Sequence, residues 1–308
     1  MSLSNFVNSH GVDGLKQLVI KIVELGDPEF DHKRTENKIG LSDPNSCPRK
    51  RQWEIQFGDL IKFEGSLSLL VGTGSHMVIQ DRFSKHFAGM LNKTLYIEKP
   101  IEIDLGDGCV ARSWMDLFFE DKNPQDSIVL DIKTTSKTEE NYKTNTLPSN
   151  VAQINTYLGV VGAKRGYLIV LYLNKIHEPL DQSIEIIEVE FDKKLYDEVI
   201  STLKSIFKAI KNNTVCKAKF DRSDCSYCGF KLVCDEFWDF LTTKIKNPYV
   251  RKDYDIDTQY IMNQIVYTNG FATKIDGKTV SYVLNFENIK AARNKLLKKM
   301  EERQNGQK

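Results

Sequence analysis

Asp116, Asp131 and Lys133 carry the groups in this chain best suited to metal-assisted hydrolysis. Asp116 lies in Trp114-Met115-Asp116-Leu117-Phe118-Phe119, and the other two in Val129-Leu130-Asp131-Ile132-Lys133. Side chains alternate faces along a strand, so Asp131 and Lys133 project together while Leu130 and Ile132 enter the opposite layer. An acid and an amine then share one face. Asp116 sits in an apolar run, residues 110–119, where a lone carboxylate is costly to bury unless it is paired or bound to a cation. A divalent cation shared with Asp131 meets that need. Mg2+ or Mn2+ takes one or two protein carboxylates, keeps sites for water and phosphate oxygens, and so makes a phosphodiester-cleaving centre of such a pair. Further on, Gln153 and Tyr157 are four residues apart and share a face of their helix.

The elements that must position these groups follow from periodicity. Strands are expected at residues 94–104, 109–119 and 128–134, each rich in β-branched or aromatic residues, with turn signals at Gly106-Asp107-Gly108 and Lys122-Asn123-Pro124. Pro148 and Ser149 open a helix through Val161, and the apolar run 167–173 suits a buried strand. Ahead of the strands, Gly72-Thr73-Gly74-Ser75-His76 begins a helix whose stripe holds His76, Ile79, Gln80, Phe83 and Phe87. The order is helix, three strands, helix, strand: an α/β domain. A strand at 184–191 and a helix at 195–210 extend it. The polar stretch 27–40 is expected to wrap the surface, and the loop 134–147, of mixed charge, to form a mobile flap. His86 and His177 fit no motif and are read as structural.

The ordered set Asp, Asp-x-Lys, Gln-x-x-x-Tyr resembles the PD-(D/E)XK nuclease superfamily, and within it the RecB-type branch, over roughly residues 47–235. That branch has a glycine three residues before the first acid, where this chain has Ser113. The resemblance implies the restriction-endonuclease-like αβββαβ core. It also implies a metal centre in which His76, Asp116, Asp131 and the Ile132 carbonyl hold Mg2+ or Mn2+, while Lys133 orients and helps activate the attacking water. Gln153 and Tyr157 are implied to position the DNA. The implied activity is a metal-dependent DNA nuclease, in its leading form an exonuclease preferring single strands. The rival is a non-catalytic module that binds DNA ends in a larger recombination or CRISPR adaptation complex, against which the retention of Asp116, Asp131 and Lys133 argues. The sequence carries no phosphate-binding loop of the G-x-x-x-x-G-K-[ST] type, so unwinding would fall to a partner helicase.

The six cysteines add a second constellation. Cys225-x-x-Cys228 and Cys234 stand among Tyr227, Phe230 and Trp238, and three thiolates need a fourth for a closed site. Cys47, at a turn into a short basic helix, and the more local Cys216 are the two candidates; Cys109 reads as a plain buried thiol. Iron–sulfur members of the RecB-type family, among them CRISPR adaptation nucleases and the AddB subunit, place one cysteine upstream of the core and three downstream. The resemblance thus implies a 4Fe–4S cluster on Cys47, Cys225, Cys228 and Cys234, stapling the two ends of the domain. Zn2+ is the chemical rival, since four cysteines also make a tetrahedral site.

The remainder sets bounds. At 308 residues, 41% hydrophobic and 28% charged, the composition is that of an ordinary globular protein. A net charge of +1 requires any nucleic-acid surface to be a local basic patch. With no leader pattern and no membrane-length apolar run, an intracellular, cytoplasmic protein is expected. Three parts are expected: an N-terminal helical segment (1–40) with the stripe Leu15, Leu18, Val19, Ile22 and Val23; a nuclease domain (41–240); and a C-terminal extension (241–308). The extension should hold a β-hairpin, with turn signals Asn269-Gly270 and Asp276-Gly277, and a Lys/Arg-bearing helix over 286–304.

Overall fold

The computed structural model describes residues 38–41, 44–61, 67–87, 94–219, 225, 228–244, 272–274, 282–284 and 286–306. Its centre is a six-stranded mixed sheet. The strands are β1 (Lys38–Gly40), β2 (Thr94–Gly106), β3 (Cys109–Glu120), β4 (Ile128–Thr135), β5 (Arg165–Tyr172) and β6 (Ile184–Glu190). They run in the order β1-β3-β4-β5-β6, with β2 also paired to β3. The β2–β3 and β3–β4 pairs are antiparallel, β4–β5 is parallel, and β5–β6 is antiparallel again.

The main helices are α1 (Pro48–Phe57), α2 (Leu67–Phe87), α3 (Glu139–Asn145), α4 (Leu147–Val161), α5 (Lys193–Lys211), α6 (Asp235–Lys244) and α7 (Phe286–Gly306), of which α2, α4 and α5 pack on the long strands of the sheet. The α2-β2-β3-β4-α4-β5 succession is the expected helix, three strands, helix, strand. Because β4 and β5 are parallel, their connection must cross over the sheet, and α4 is that crossover. On its face Ile154, Leu158, Val199, Leu203 and Ile206 cover Phe118, Val129, Leu168 and Val170. On the other face Ile79 and Phe83 of α2 cover Leu117, Phe119, Ile132 and Ile169. Gly166 lets α4 come close to the sheet: a Cβ there would lie 2.8 Å from the Val129 carbonyl oxygen and 2.9 Å from Ile154 Cδ1.

The cysteine-bearing segments form a lobe beside this sandwich. Trp53 and Phe57 of α1 pack with Cys228, Phe230, Val233 and with Met300 of α7. Arg293 of α7 donates to the Leu232 carbonyl at 3.0 Å and pairs with Asp235 at 2.9 Å. The buried side chain of Gln52 joins α1 to the chain leaving α5: its Nε2 donates to the Thr214 carbonyl and its Oε1 accepts from the Cys216 N–H, each at 2.7 Å.

Several elements differ from expectation. Residues 38–40 do not wrap the surface but pair in parallel with Val110, Ala111 and Arg112, burying Ile39 and Leu41; two alternating apolar residues are too short a pattern to announce a strand. Helix α2 begins at Leu67, so the glycines lie inside it. The expected flap contains α3, anchored by the buried Tyr142, whose hydroxyl accepts from Asn150 at 2.8 Å. The hairpin is present as β7 (Ala272–Lys274) against β8 (Tyr282–Leu284), and the basic helix as α7. The expected N-terminal helix lies outside the described residues. Among the described residues no helix is long and apolar enough to cross a membrane.

Candidate active site

The site occupies a fork between β3 and β4. Their ladder consists of Leu117↔Leu130, Phe118↔Val129 and Phe119↔Ile128. Beyond Leu117 the strands part, and the next donor, the Ile132 N–H, goes to Asp116 Oδ2 at 2.6 Å instead of to a backbone carbonyl. A side-chain carboxylate thus takes over a ladder bond, which holds Asp116 in the fork and keeps a buried N–H satisfied. Helix α2 reaches the same place. Its Gly72 passes so close to β4 that a Cβ would meet Thr134 Oγ1 at 3.1 Å, and one turn later His76 Nδ1 stands 3.4 Å from Asp116 Oδ2.

On the α4 side of β4, Asp131 is 1% exposed. Lys133 Nζ lies 2.7 Å from its Oδ2, outside hydrogen-bond geometry, so that oxygen is buried without a hydrogen-bond partner among the described residues. The ammonium donates to Gln153 Oε1 at 3.0 Å, Gln153 Nε2 donates to the Tyr157 hydroxyl at 2.6 Å, and that hydroxyl stands 2.7 Å from Ser113 Oγ. Gln153 and Tyr157 are 5% and 0% exposed. Their polar atoms are therefore turned to Lys133, to each other and to Ser113, away from solvent.

Charge and burial set the protonation of these groups. Burial is the main influence on Asp131 and, with the Asp116 charge adding to it and Lys133 opposing, pushes its carboxyl up to about 6. Burial works against the Lys133 ammonium, but the charges of Asp131 and Asp116 outweigh it and hold its proton more tightly than usual. For His76 burial likewise opposes the charged ring, and the hydrogen bond and charge of Asp116 reverse the balance upward.

Sequence reasoning missed Glu98. The β2–β3 register pairs Ile97 with Leu117 and Lys99 with Met115, leaving Glu98, in the left-handed region at φ 49°, beside Asp116. Gln80 Nε2 donates to Glu98 Oε1 at 2.5 Å, while burial raises the Glu98 carboxyl and the nearby Asp116 charge adds to the rise. In the sequence Glu98 reads as the solvent-facing member of an alternating strand. The available signal was Gln80, a polar side chain on an apolar helical stripe four residues after His76.

The four cysteines Cys47, Cys225, Cys228 and Cys234 line one cavity, together with Trp53, Phe237 and the cationic side chains of Arg49, Lys50, Lys219 and Lys231. Cys47 Sγ accepts the Lys219 N–H at 3.2 Å, and Arg49 reaches Cys234 Sγ at 3.8 Å. Burial pushes the Cys228 thiol up to about 11. Cys216 is not part of this lining: its N–H goes to Gln52 and its carbonyl accepts from Arg49 at 2.8 Å. Among the described residues no three His, Cys, Asp or Glu side chains converge on a single ion position.

A family profile described as the PD-(D/E)XK nuclease superfamily matches residues 80–235. The chain belongs to this superfamily. Among solved structures it is similar to SSO0001, with 19% identity over 71% of this chain and 96% of that one, at a TM-score of 0.49. It is also similar to the alkaline exonuclease LHK-Exo from Laribacter hongkongensis in complex with dAMP, with 14% identity over 61% and 94% of the two chains and a TM-score of 0.43. A phage-related exonuclease from Haemophilus somnus 129PT shares 10% identity over 57% and 96%, at 0.40. At these scores the likenesses add nothing to the family match. No curated protein matches the chain. Nucleases of this superfamily use divalent cations.

Proposed function

We propose that this protein is a Mg2+- or Mn2+-dependent DNA nuclease acting as an exonuclease that prefers single-stranded ends, and that it carries a 4Fe–4S cluster. The observation that carries the nuclease reading is the meeting of His76, Asp116, Asp131 and Lys133 in one fork of the sheet, three of them largely buried. The donor set fits the cation. Carboxylates, the Ile132 carbonyl and one imidazole suit a hard divalent ion, and among the described residues the buried Asp131 Oδ2 has the Lys133 ammonium at 2.7 Å and no hydrogen-bond partner. Asp131 now faces Lys133 and Asp116 faces the Ile132 N–H, so binding calls for small rotations of these carboxylates. When bound, the cation lowers the pKa of an attacking water and offsets charge on the phosphate.

The chain's own groups do the rest. Lys133 keeps its proton, so it acts as a fixed cation that orients the water and counters the charge developing on the phosphate oxygens. Its side chain is 21% exposed against 2% for Asp131, which leaves the ammonium within reach of the substrate. With its carboxyl near 6, Asp131 is predominantly ionised at neutral pH and available as a ligand.

For the cluster, the support is the single cavity shared by the four cysteines and rimmed with cations that suit thiolates. Four cysteines serve a 4Fe–4S cube as they serve a tetrahedral Zn2+, and the order of one cysteine before the core and three after it is what favours the cube.

The test is digestion of end-labelled single- and double-stranded DNA with Mg2+, Mn2+ or EDTA, alongside circular single strands and closed duplex. Metal-dependent loss of the linear single strand is expected. Cleavage that persists in EDTA would overturn the metal reading. Rapid degradation of circles would overturn the exonuclease reading.

A further inference from the structure

We propose that Ser113 is a positioning residue for Lys133, acting through a buried line of hydrogen bonds that runs Ser113–Tyr157–Gln153–Lys133; this rests on the nuclease reading of Lys133 given above. The direction of the line follows from its one unambiguous member. An ammonium can only donate, so Gln153 must present Oε1 to Lys133 and, with its amide fixed that way, Nε2 to Tyr157. The Tyr157 hydroxyl then accepts from Gln153, and its own proton needs an acceptor in a place where the residue is 0% exposed. Ser113 Oγ, 2.7 Å away and on a residue only 7% exposed, is the acceptor the structure offers.

Each bond fixes the next: the serine holds the tyrosine rotor, the tyrosine holds the amide plane, and the amide holds the ammonium against Asp131. Ser113 stands on β3, three residues before Asp116, and α4 carries Gln153 and Tyr157. The line thus ties the ammonium to the same strand that presents the first carboxylate. Removing the Ser113 hydroxyl leaves the buried tyrosine proton without its acceptor, and Tyr157 must turn away to find another. Gln153 is then free to flip, and Lys133 loses the bond that steers it.

The experiment compares the full-length wild type with S113A, S113T and Y157F, using two readouts. The first is steady-state cleavage of labelled single-stranded DNA with Mn2+. S113A and Y157F should each lower kcat roughly tenfold, in keeping with supporting partners of a metal centre, and leave KM for DNA within about twofold. S113T, which keeps an oxygen at Oγ, should recover most of kcat, and the S113A/Y157F double variant should be no worse than Y157F, since both act on one line. The second readout needs no catalysis: the labelling rate of Lys133 by a succinimidyl ester in EDTA, followed by peptide mass spectrometry, should rise in S113A and Y157F. Wild-type kcat and wild-type Lys133 labelling in S113A would overturn the inference, as would a raised KM with labelling unchanged. If the wild type fails to cleave DNA, the nuclease reading falls, and faster Lys133 labelling in S113A would still uphold the line.

Discussion

Lys133→Met keeps the aliphatic stem of the side chain and deletes its charge, which isolates what the ammonium does for Asp131. The Asp131 side chain is only 2% exposed, and Lys133 Nζ is 2.7 Å from its Oδ2. Breaking a buried pair from one side costs about 3–5 kcal/mol, because the remaining charge stays buried and uncompensated. The Lys133 side chain is 21% exposed, so water can take up part of the load, and the expectation lies at the low end, about 3 kcal/mol. Against a total stability of about 5–15 kcal/mol that is a large fraction, and at about 2–4 °C per kcal/mol it lowers Tm by roughly 6–12 °C. The K133M/D131N double variant removes both charges and should lie within about 1 kcal/mol of wild type. The deficit of K133M also has a pH dependence. A buried carboxyl whose folded pKa is raised takes up protons in the folded state more readily than in the unfolded one, so the penalty shrinks as pH falls from about 8 to about 5. Thermal and urea unfolding of the four proteins of the cycle, followed by circular dichroism in EDTA across that range, measures this directly. A K133M protein that melts with wild type at neutral pH, or whose deficit ignores pH, would refute the claim that this pair sets the energetics of the site.

Three further outcomes are expected. Cleavage should fall as pH drops through about 6, where Asp131 gains its proton, and raising Mn2+ should move that limb to lower pH because cation and proton compete for the carboxylate; a limb indifferent to Mn2+ counts against Asp131 as a ligand. Cys47→Ala, Cys225→Ala, Cys228→Ala and Cys234→Ala should each strip iron and visible absorbance from the purified protein while Cys216→Ala keeps both; the reverse pattern, or stoichiometric zinc, refutes the cluster assignment. Gly166→Ala should destabilise by about 1–3 kcal/mol through overpacking, since its Cβ would lie 2.8 Å from the Val129 carbonyl oxygen, and should leave kcat unchanged while folded; an unaltered melting curve contradicts that packing.

Much of the sheet was legible in the sequence because β2 to β6 each alternate or run apolar for seven residues or more between turn signals. The three-residue β1 was not, since its pairing is decided by an edge of β3 far away in the chain. Spacing placed Asp131 with Lys133, and Gln153 with Tyr157, on shared faces. It was silent on what those faces meet, because α4 is buried along most of its length and its polar atoms answer to tertiary neighbours. Glu98 joins the site through a backbone irregularity that its neighbours Ile97 and Lys99 do nothing to announce. Cys47 and Cys216 were equal on chemistry as the fourth cysteine. In the fold Cys47 lines the cavity with the other three, while the Cys216 backbone is bonded to Gln52 and Arg49.

The two hydrogen bonds from Gln52 to the backbone of Thr214 and Cys216 bear on how the protein is made. The two ends of that bridge are 164 residues apart, and at a ribosomal rate of about 5–20 residues per second the partner of α1 emerges roughly 10–30 s after α1 itself. Strands β2 to β6 and α4 leave the tunnel within that interval, so the sandwich can assemble while α1, with the indole of Trp53 and the thiol of Cys47, still waits. A nascent chain arrested before residue 214 should therefore be the form that trigger-type chaperones hold longest.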